Sequence, residues 1–308
     1  MTSALASSGL EPGSLDPGSI VVAADGSDDS DRALHWAAEQ AFRERRPLVV
    51  MTAVGTAGVA WPDMATAYVQ GPQEMTERGQ AVADEALAVV RHLHPGLHAE
   101  TAVRAGDPRV VLTETSRVVH LLVLGSRGRG VFRSKVLGSV SAAVSRDAAC
   151  PVVVCRPGPP AGAIDRGILV GADGTAESIP VLEFAFAQAS LEGRPLTVMH
   201  TIWDEQAALR GPELVRSREP ALEGARLLLS ESVAGLRSKF PEVEADLVLA
   251  RGLADECLAD RSGTWSLIVV GRHPVDTVLR LVTGAVATAV VERAGTNVAV
   301  VPQAPPKG

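Results

Sequence analysis

The stretch IVVAADGSDDSDRAL at residues 20–34 recurs, with changes, as ILVGADGTAESIPVL at residues 168–182. Each copy reads as a short apolar strand, a D-G-[ST] turn, a serine cap and the start of a helix. Asp25 matches Asp173 and Ser30 matches Ser178, both at an offset of 148 residues. Self-similarity at a fixed distance indicates that the chain contains two tandem copies of one structural unit.

The remaining apolar runs also recur in the same order in the two halves. The pairs are RPLVVMTAV (46–54) with RPLTVMHTI (194–202), VVHLLVLG (118–125) with WSLIVVG (265–271), and PVVVC (151–155) with NVAVV (297–301). Helical stripes at i, i+4, i+7 and i+11 separate the runs: Val82, Ala86, Val89 and Leu93 in the first half, and Leu229, Val233, Leu236 and Phe240 in the second. This alternation predicts an α/β fold in which helices cover both faces of a parallel sheet.

Composition excludes several classes of protein. The net charge is -7 and the pI about 5.6, which argues against nucleic-acid binding because that needs clustered excess Lys and Arg. No apolar run approaches the roughly 20 residues that span a bilayer, and the first residues do not read as a signal peptide. We therefore expect a cytoplasmic protein with neither nucleic acid nor membrane as partner.

A glycine-rich segment follows the fourth strand of the first copy. It reads GSRGRGVFRSKVLGSVSAAV, in which Gly125, Gly128, Gly138 and Ser139 fit the pattern G-x2-G-x9-G-[ST]. Glycines after a parallel strand allow a tight turn and close approach of a phosphate to the main chain. Free N–H groups at the following helix start, with the hydroxyls of Ser139 and Ser141, are suited to an anionic phosphate chain.

These motifs together resemble the universal stress protein family in its tandem, ATP-binding form. The resemblance implies two flavodoxin-like domains, each with a five-stranded parallel sheet flanked by helices. It implies ATP as cofactor, with Asp25 contacting the adenosine part and Ala53 lining the adenine pocket. The residues expected around the ribose and phosphates are Gly125, Arg127, Gly128, Gly138, Ser139, Val140 and Ser141. Whether Mg²⁺ accompanies ATP stays open.

The expected domain boundaries follow from the same reading. Residues 1–17 form a flexible N-terminal segment, 18–156 the ATP-binding domain, 157–164 a Pro/Gly linker, 165–302 the second domain, and 303–308 a tail. We also predict that PVVVC and NVAVV pair with each other, because each is an apolar sheet edge that would otherwise invite aggregation. Single-domain members of the family dimerise through this strand, and a further homodimer is left open.

The second copy departs from the motif where phosphates would bind. Gly271 and Gly284 keep the spacing, but Pro274 replaces the second glycine, Ala285 replaces the serine, and Ala287 matches Ser141. Proline removes a donor N–H and alanine removes a hydroxyl. We therefore predict one ATP per chain, in the first copy, with weak residual binding left open in the second because backbone donors at its helix start would persist.

Simpler roles compete with these assignments. Asp25 is also suited to a turn or helix cap, and Arg127, Arg129, Arg133 and Lys135 to a solvated basic loop. The three histidines of HLHPGLH at 92–98 lack a carboxylate or cysteine partner in sequence, so we expect surface histidines and no metal.

Three functions remain in competition. The first is a regulatory ATP-binding module in stress response or growth control, acting on an unknown protein partner. The second is a slow ATP hydrolase or phosphotransferase, which the lack of a recognisable acid and base pair disfavours, so no catalytic residue is assigned. The third is an interaction scaffold independent of nucleotide, which the intact first glycine loop disfavours.

Overall fold

The computed structural model describes residues 15–55, 72–128, 137–158, 166–216, 219–259, 265–272 and 280–303, and gives only the backbone of positions 72 and 280–285. Contacts within the chain divide it into two compact units, Met1–Cys150 and Pro151–Gly308. Each unit is described separately.

Parallel strands form the sheet of the first unit. The described strands are β1 (Ile20–Ala23), β2 (Leu48–Val54), β3 (Ala99–Ala105) and β4 (Leu121–Gly125). Their spatial order is β3-β2-β1-β4. The helices between and after them are α1 (Asp28–Glu44), α2 (Pro72–Leu93), α3 (Pro108–Thr115) and α4 (Ser139–Asp147).

Helices cover both faces of this sheet. A Cβ added to Gly79 of α2 would lie 2.4 Å from Val54 Cγ1 and 3.5 Å from Thr52 Cγ2, so α2 lies on the face of these two residues. The hydroxyl of Thr115 in α3 donates to the sulfur of Met51 at 3.6 Å. Because successive strand residues point to opposite faces, Met51 and Thr52 place α3 and α2 on opposite sides. The expected doubly wound arrangement is confirmed.

The second unit repeats this plan with an added strand at each edge. Its strands are β5 (Val152–Cys155), β6 (Ile168–Gly171), β7 (Leu196–Ile202), β8 (Glu213–Leu214), β9 (Ala245–Arg251), β10 (Leu267–Arg272) and β11 (Asn297–Pro302). Their order is β5-β11-β10-β6-β7-β9-β8, with the five inner strands parallel and the two outer ones antiparallel to their neighbours. The α-helices are α5 (Ile179–Glu192), α6 (Glu205–Arg210), α7 (Glu223–Lys239), α8 (Ala254–Leu258) and α9 (Arg280–Arg293).

The predicted pairing of the two final strands is confirmed. β5, which ends the first sequence repeat, lies within the second unit and pairs antiparallel with β11. Val154 stands opposite Val298, and Val152 opposite Val300. All four valines are buried, so the two apolar strands cover each other's hydrogen-bonding edge.

The buried face of α2 is rotated by one residue from the face that the sequence predicted. In α2 the buried side chains are Ala83, Ala86, Leu87 and Val90, whereas Val82 and Val89 are half-buried and Leu93 is exposed. The prediction was wrong because α2 carries two overlapping apolar stripes at helical spacing, and periodicity alone does not select between them. In α7 the predicted Leu229, Val233 and Leu236 are buried, and Phe240 is half-buried.

Candidate functional site

The turn after β1 is held by its own side chains. Asp25 Oδ1 accepts hydrogen bonds from the Ser27 N–H at 3.0 Å and the Ser27 hydroxyl at 2.6 Å. Gly26 between them has φ +73°, a left-handed conformation that glycine adopts without strain. Ser27 is the N-cap of α1 and forms a reciprocal capping box with Ser30. The turn therefore presents Asp25 in a fixed position at the carboxyl end of the sheet.

The loop after β4 packs directly on the first turn of α1. A Cβ on Gly125 would lie 2.6 Å from the backbone carbon of Asp29 and 2.9 Å from the Ser30 nitrogen, so only glycine fits without moving backbone. The hydroxyl of Ser126 donates to Asp29 Oδ2 at 2.5 Å, and Arg127 Nε donates to the same oxygen at 3.2 Å. Gly125 thus allows α1 to pack closely on β4, and Asp29 holds Ser126 and Arg127 in place through hydrogen bonds.

Asp29 is a buried carboxylate that the sequence reading missed. Burial raises its pKa, but the hydrogen bonds from Ser126 and Arg127 and the charges of Arg32 and Arg127 outweigh burial and leave the pKa below its ordinary value. A signal was present in the sequence. Asp29 stands at helical spacing from the buried Ala33 and Ala37, so it lies on the face of α1 that packs on the sheet.

Gly128 and Gly138 complete a narrow junction beside Asp25. A Cβ on Gly128 would lie 2.6 Å from Asp25 Oδ2, so bare backbone faces this carboxylate. The N–H of Gly138 donates to the Ser126 carbonyl at 2.8 Å, and a Cβ there would lie 3.4 Å from Arg127 Cα. Residues far apart in sequence are thereby brought together, as the resemblance implied.

Helix α4 begins at this junction with backbone donors that precede its helical hydrogen bonds. Its N-cap is Gly138, and no side chain in the described part of the chain caps it. Ala142 makes the first intrahelical hydrogen bond, to the Gly138 carbonyl at 2.9 Å, so the N–H groups of Ser139, Val140 and Ser141 precede the helical ladder. Such a helix start carries partial positive charge and is suited to an anion.

The two serines of α4 differ in their surroundings. Ser139 is exposed, whereas Ser141 is buried and its hydroxyl donates to the Gly125 carbonyl at 2.6 Å. The Ser141 hydroxyl therefore ties α4 to the end of β4, and its hydrogen is not directed to a ligand in this arrangement. Only the N–H group of Ser141 is therefore left for the phosphate contact that we predicted.

Ala53 lies at the same edge on the neighbouring strand. Ala23, the last residue of β1, is in register with Met51 of β2. Asp25 follows the end of β1 by two residues and Ala53 lies two residues beyond Met51 in β2, so both lie towards the carboxyl ends of neighbouring strands. Ala53 is half-buried. Arg129, Arg133 and Lys135 lie outside the described residues.

The second unit differs at the matching places. Helix α9 starts at Arg280, four residues before Gly284, so the N–H groups after Gly284 belong to the helix interior. Our expectation that free backbone donors persist there is not met, because in an α-helix only the first turn leaves its N–H groups unsatisfied. Pro274 lies outside the described residues, and Ala287 is buried.

The histidine run is only partly at the surface. His92 and His98 are exposed, whereas His94 is half-buried, stacks on Phe42 with ring centroids 4.5 Å apart, and lies 3.2 Å from a carboxylate oxygen of Glu39. Among the described residues there is no group of three or more His, Cys, Asp or Glu side chains placed to hold a metal ion. No helix in that part of the chain is long and apolar enough to cross a membrane.

The chain has two tandem doubly wound α/β units, and no side chain in the described part of the chain caps the start of α4 in the first unit. Proteins of this class hold small ligands at the carboxyl ends of the strands, where the strand order reverses. Comparison with protein-family models matches residues 18–156 and 166–302 to the Universal stress protein family. The chain belongs to this family, and it is of the tandem, two-domain type.

Relatives match over nearly the whole chain. Universal stress protein Rv2005c of Mycobacterium tuberculosis is 31% identical over 296 residues, which cover 92% of this chain and 97% of that protein. A universal stress protein of Mycolicibacterium smegmatis is 29% identical over 289 residues, covering 92% and 96%. The crystal structure of a universal stress protein from Archaeoglobus fulgidus superposes with a TM-score of 0.69 at 22% identity, covering 94% and 99%, and supports the fold.

Proposed function

We propose that the first unit binds ATP and that the protein acts as a nucleotide-dependent regulatory module in the stress response. The observation that carries this proposal is the start of α4, where the N–H groups of Ser139, Val140 and Ser141 lie next to the Gly125–Gly128 loop. A triphosphate carries several negative charges, and a helix start with unsatisfied N–H groups stabilises anions.

The surrounding residues fit the other parts of ATP. Asp25 is held in place by Ser27 and offers carboxylate oxygen as an acceptor for ribose hydroxyls. Ala53 lies near the carboxyl end of the neighbouring strand β2, where its small side chain would leave room for a base. Arg127 is fixed by Asp29 and half-exposed, so its remaining guanidinium donors supply positive charge for the phosphates. Mg²⁺, if it accompanies ATP, would be bound mainly by the phosphate oxygens.

The carboxylates beside the loop favour a ligand role for ATP over hydrolysis. Hydrolysis needs a base that takes a proton from water near neutral pH. Among the described residues, Asp25 accepts from Ser27, and Asp29 accepts from Ser126 and Arg127 with a lowered pKa. A carboxylate with a lowered pKa is a weaker base, so Asp29 is poorly suited to activate water.

Regulation follows from thermodynamic linkage. A ligand that binds only the folded unit stabilises it by about 2.7 kcal/mol at a concentration of 100 times its Kd. Since the candidate site is bordered by Gly125–Gly128 and by the start of α4, a bound nucleotide would change the surface that these residues present. A protein partner that contacts this surface would then distinguish the nucleotide-bound state from the free state, in the cytoplasm where ATP is abundant.

We further propose one ATP per chain. The second unit has Pro274 in place of Gly128 and Ala285 in place of Ser139, and its α9 starts before Gly284. Loss of two hydrogen bonds to a charged ligand, at about 1.5–3 kcal/mol each, weakens binding by at least about a hundredfold.

Calorimetric titration of the nucleotide-stripped chain with ATP tests the proposal. We expect a stoichiometry near one that Gly138→Glu abolishes and the matched control Gly284→Glu leaves unchanged. Mass spectrometry of the natively purified protein should detect bound nucleotide. Absence of ATP binding by the wild-type chain, or loss of binding caused by Gly284→Glu alone, would contradict the assignment.

A further inference from the structure

The side chain of Gln303 crosses the carboxyl end of the second sheet. Gln303 follows β11, and its backbone N–H donates to the Arg272 carbonyl at the end of β10 at 2.9 Å. Its Nε2 donates to Asp173 Oδ2, in the turn after β6, at 3.1 Å. Only 8% of the residue is exposed. One buried glutamine therefore connects the ends of two neighbouring strands.

The place that Gln303 crosses is where this fold holds ligands. From β6 the sheet continues through β7 and β9 on one side and through β10 and β11 on the other, so the strand order reverses between β6 and β10. Open parallel sheets bind ligands in the crevice at such a reversal. In the first unit the same crevice lies between β1 and β4, beside Asp25. There bare backbone at Gly128 faces the carboxylate, whereas an amide side chain faces Asp173 here.

Side chains fill the space that glycines leave open in this crevice. A Cβ added to Gly271 would lie 2.9 Å from Gln303 Nε2 and 3.0 Å from Gln303 Cδ. A Cβ added to Gly174 would lie 1.5 Å from Leu228 Cδ2. Gly271 and Gly174, which match Gly125 and Gly26 of the first copy, therefore accommodate the side chains of Gln303 and Leu228.

We propose that Gln303 is an internal ligand that closes the nucleoside crevice of the second unit, and that this closure acts together with the altered phosphate loop to confine nucleotide binding to the first unit. The inference rests on the proposed function for the identity of the ligand. Asp173 Oδ1 accepts from the N–H of Thr175 at 2.8 Å and from its hydroxyl at 2.7 Å. The amide donor of Gln303 takes the other oxygen, which a ribose hydroxyl would need.

The closure depends on few contacts, which makes it testable. Gln303 Oε1 is buried and has no hydrogen-bond partner among the residues described here, so one side-chain hydrogen bond holds the amide over Asp173. A buried acceptor without a partner opposes the closed arrangement. Removal of the amide should therefore leave the fold intact and release Asp173 Oδ2 for another donor.

Adenosine is the appropriate probe, because the second unit lacks phosphate-loop contacts. The first site is blocked with Gly128→Glu, and adenosine binding is measured by calorimetry on the full chain with and without Gln303→Ala. We expect only weak adenosine binding in the single variant, and one adenosine per chain with a Kd at least about tenfold lower in the double variant, as release of one hydrogen bond to a charged group would give. Gln303→Glu, whose carboxylate repels Asp173, should give the same gain.

Gln188→Ala is the matched control, since Gln188 in α5 is another buried amide of the second unit whose Oε1 has no hydrogen-bond partner within the described ranges. It should not tighten adenosine binding. In the wild-type chain labelled with ¹⁵N-glutamine, the side-chain protons of Gln303 should exchange slowly with water. Fast exchange, or no gain of binding in either Gln303 variant, would overturn the inference. Failure of the wild-type chain to bind ATP together with a gain in Gln303→Ala would instead reject the proposed function alone.

Discussion

Gly125→Ala should push apart the end of β4 and the start of α1, the two elements on which the candidate site depends. The added methyl group would stand 2.6 Å from the carbonyl carbon of Asp29, 2.7 Å from its oxygen and 2.9 Å from the Ser30 nitrogen. All three are backbone atoms of α1, so no side-chain rotation relieves the clash. The end of β4 and the start of α1 must move apart by several tenths of an ångström or more.

The expected cost follows from this geometry. Overpacking of a rigid interior site costs about 1–3 kcal/mol. The same movement lengthens the hydrogen bonds from Ser126 and Arg127 to Asp29, which are 2.5 and 3.2 Å long in the native arrangement. It also displaces Gly138, whose N–H is bonded to Ser126, and therefore the start of α4. We expect the free energy of unfolding to fall by about 1–3 kcal/mol and ATP affinity to fall about tenfold or more.

Urea denaturation followed by circular dichroism, together with calorimetric ATP titration, measures both effects. Gly96→Ala is the matched control, because a Cβ at Gly96 meets nothing within 4 Å and its φ is not in the left-handed region. Its effect on stability should stay within about 0.5 kcal/mol, as for other surface substitutions. If Gly125→Ala is as mild as Gly96→Ala in both assays, the close packing of β4 on α1 does not control the site.

Three further outcomes are expected. Ser139→Asp places a negative charge at the exposed start of α4, which should stabilise the helix by about 0.3–1 kcal/mol while weakening ATP binding; tighter or unchanged binding would contradict phosphate contact there. ATP turnover should be negligible over minutes, and steady phosphate release that survives purification and disappears in Gly128→Glu would favour the hydrolase. The lowered pKa of Asp29 contributes stability that is complete above its unfolded pKa of about 3.9 and is lost as the pH falls through its lower folded pKa. Asp29→Asn should therefore flatten the acid limb of the stability curve below about pH 4, and an unchanged limb would mean that Asp29 does not anchor the loop.

Most of the fold could be predicted from local sequence patterns. The strands were recognisable as short apolar runs, and each run occurs in both halves of the chain. The pairing of β5 with β11 followed from the cost of leaving two apolar edges open. The buried face of α2 could not be chosen, because Val82 and Ala83 begin equally regular stripes. Ala83, the smaller of the two residues, lies on the face of α2 that is buried.

The site was less accessible from sequence because its key contacts join distant segments. Asp29 is one of several acidic residues at the start of α1, where acidic residues commonly stabilise the helix dipole. Only its hydrogen bond with Ser126, 97 residues away in sequence, shows that it also anchors the loop after β4. The start of α9 at Arg280 also does not follow from the spacing of the motif. A search for acidic residues in register with a buried helical stripe would have found Asp29.

Gly125 and Gly271 show why matching spacing is insufficient evidence of a shared site. Both end the fourth strand of their repeat and both lack space for a Cβ, yet the atoms that exclude it differ. At Gly125 they are backbone atoms of Asp29 and Ser30, so the glycine lets α1 approach the strand. At Gly271 the nearest atoms belong to the Gln303 amide, with Val181 at 3.0 Å, so the glycine accommodates a side chain from the end of the chain. The same residue at the same position thus lets a helix approach the strand in one unit and accommodates a glutamine side chain in the other. The closure that we propose for the second crevice therefore depends on a residue outside the motif.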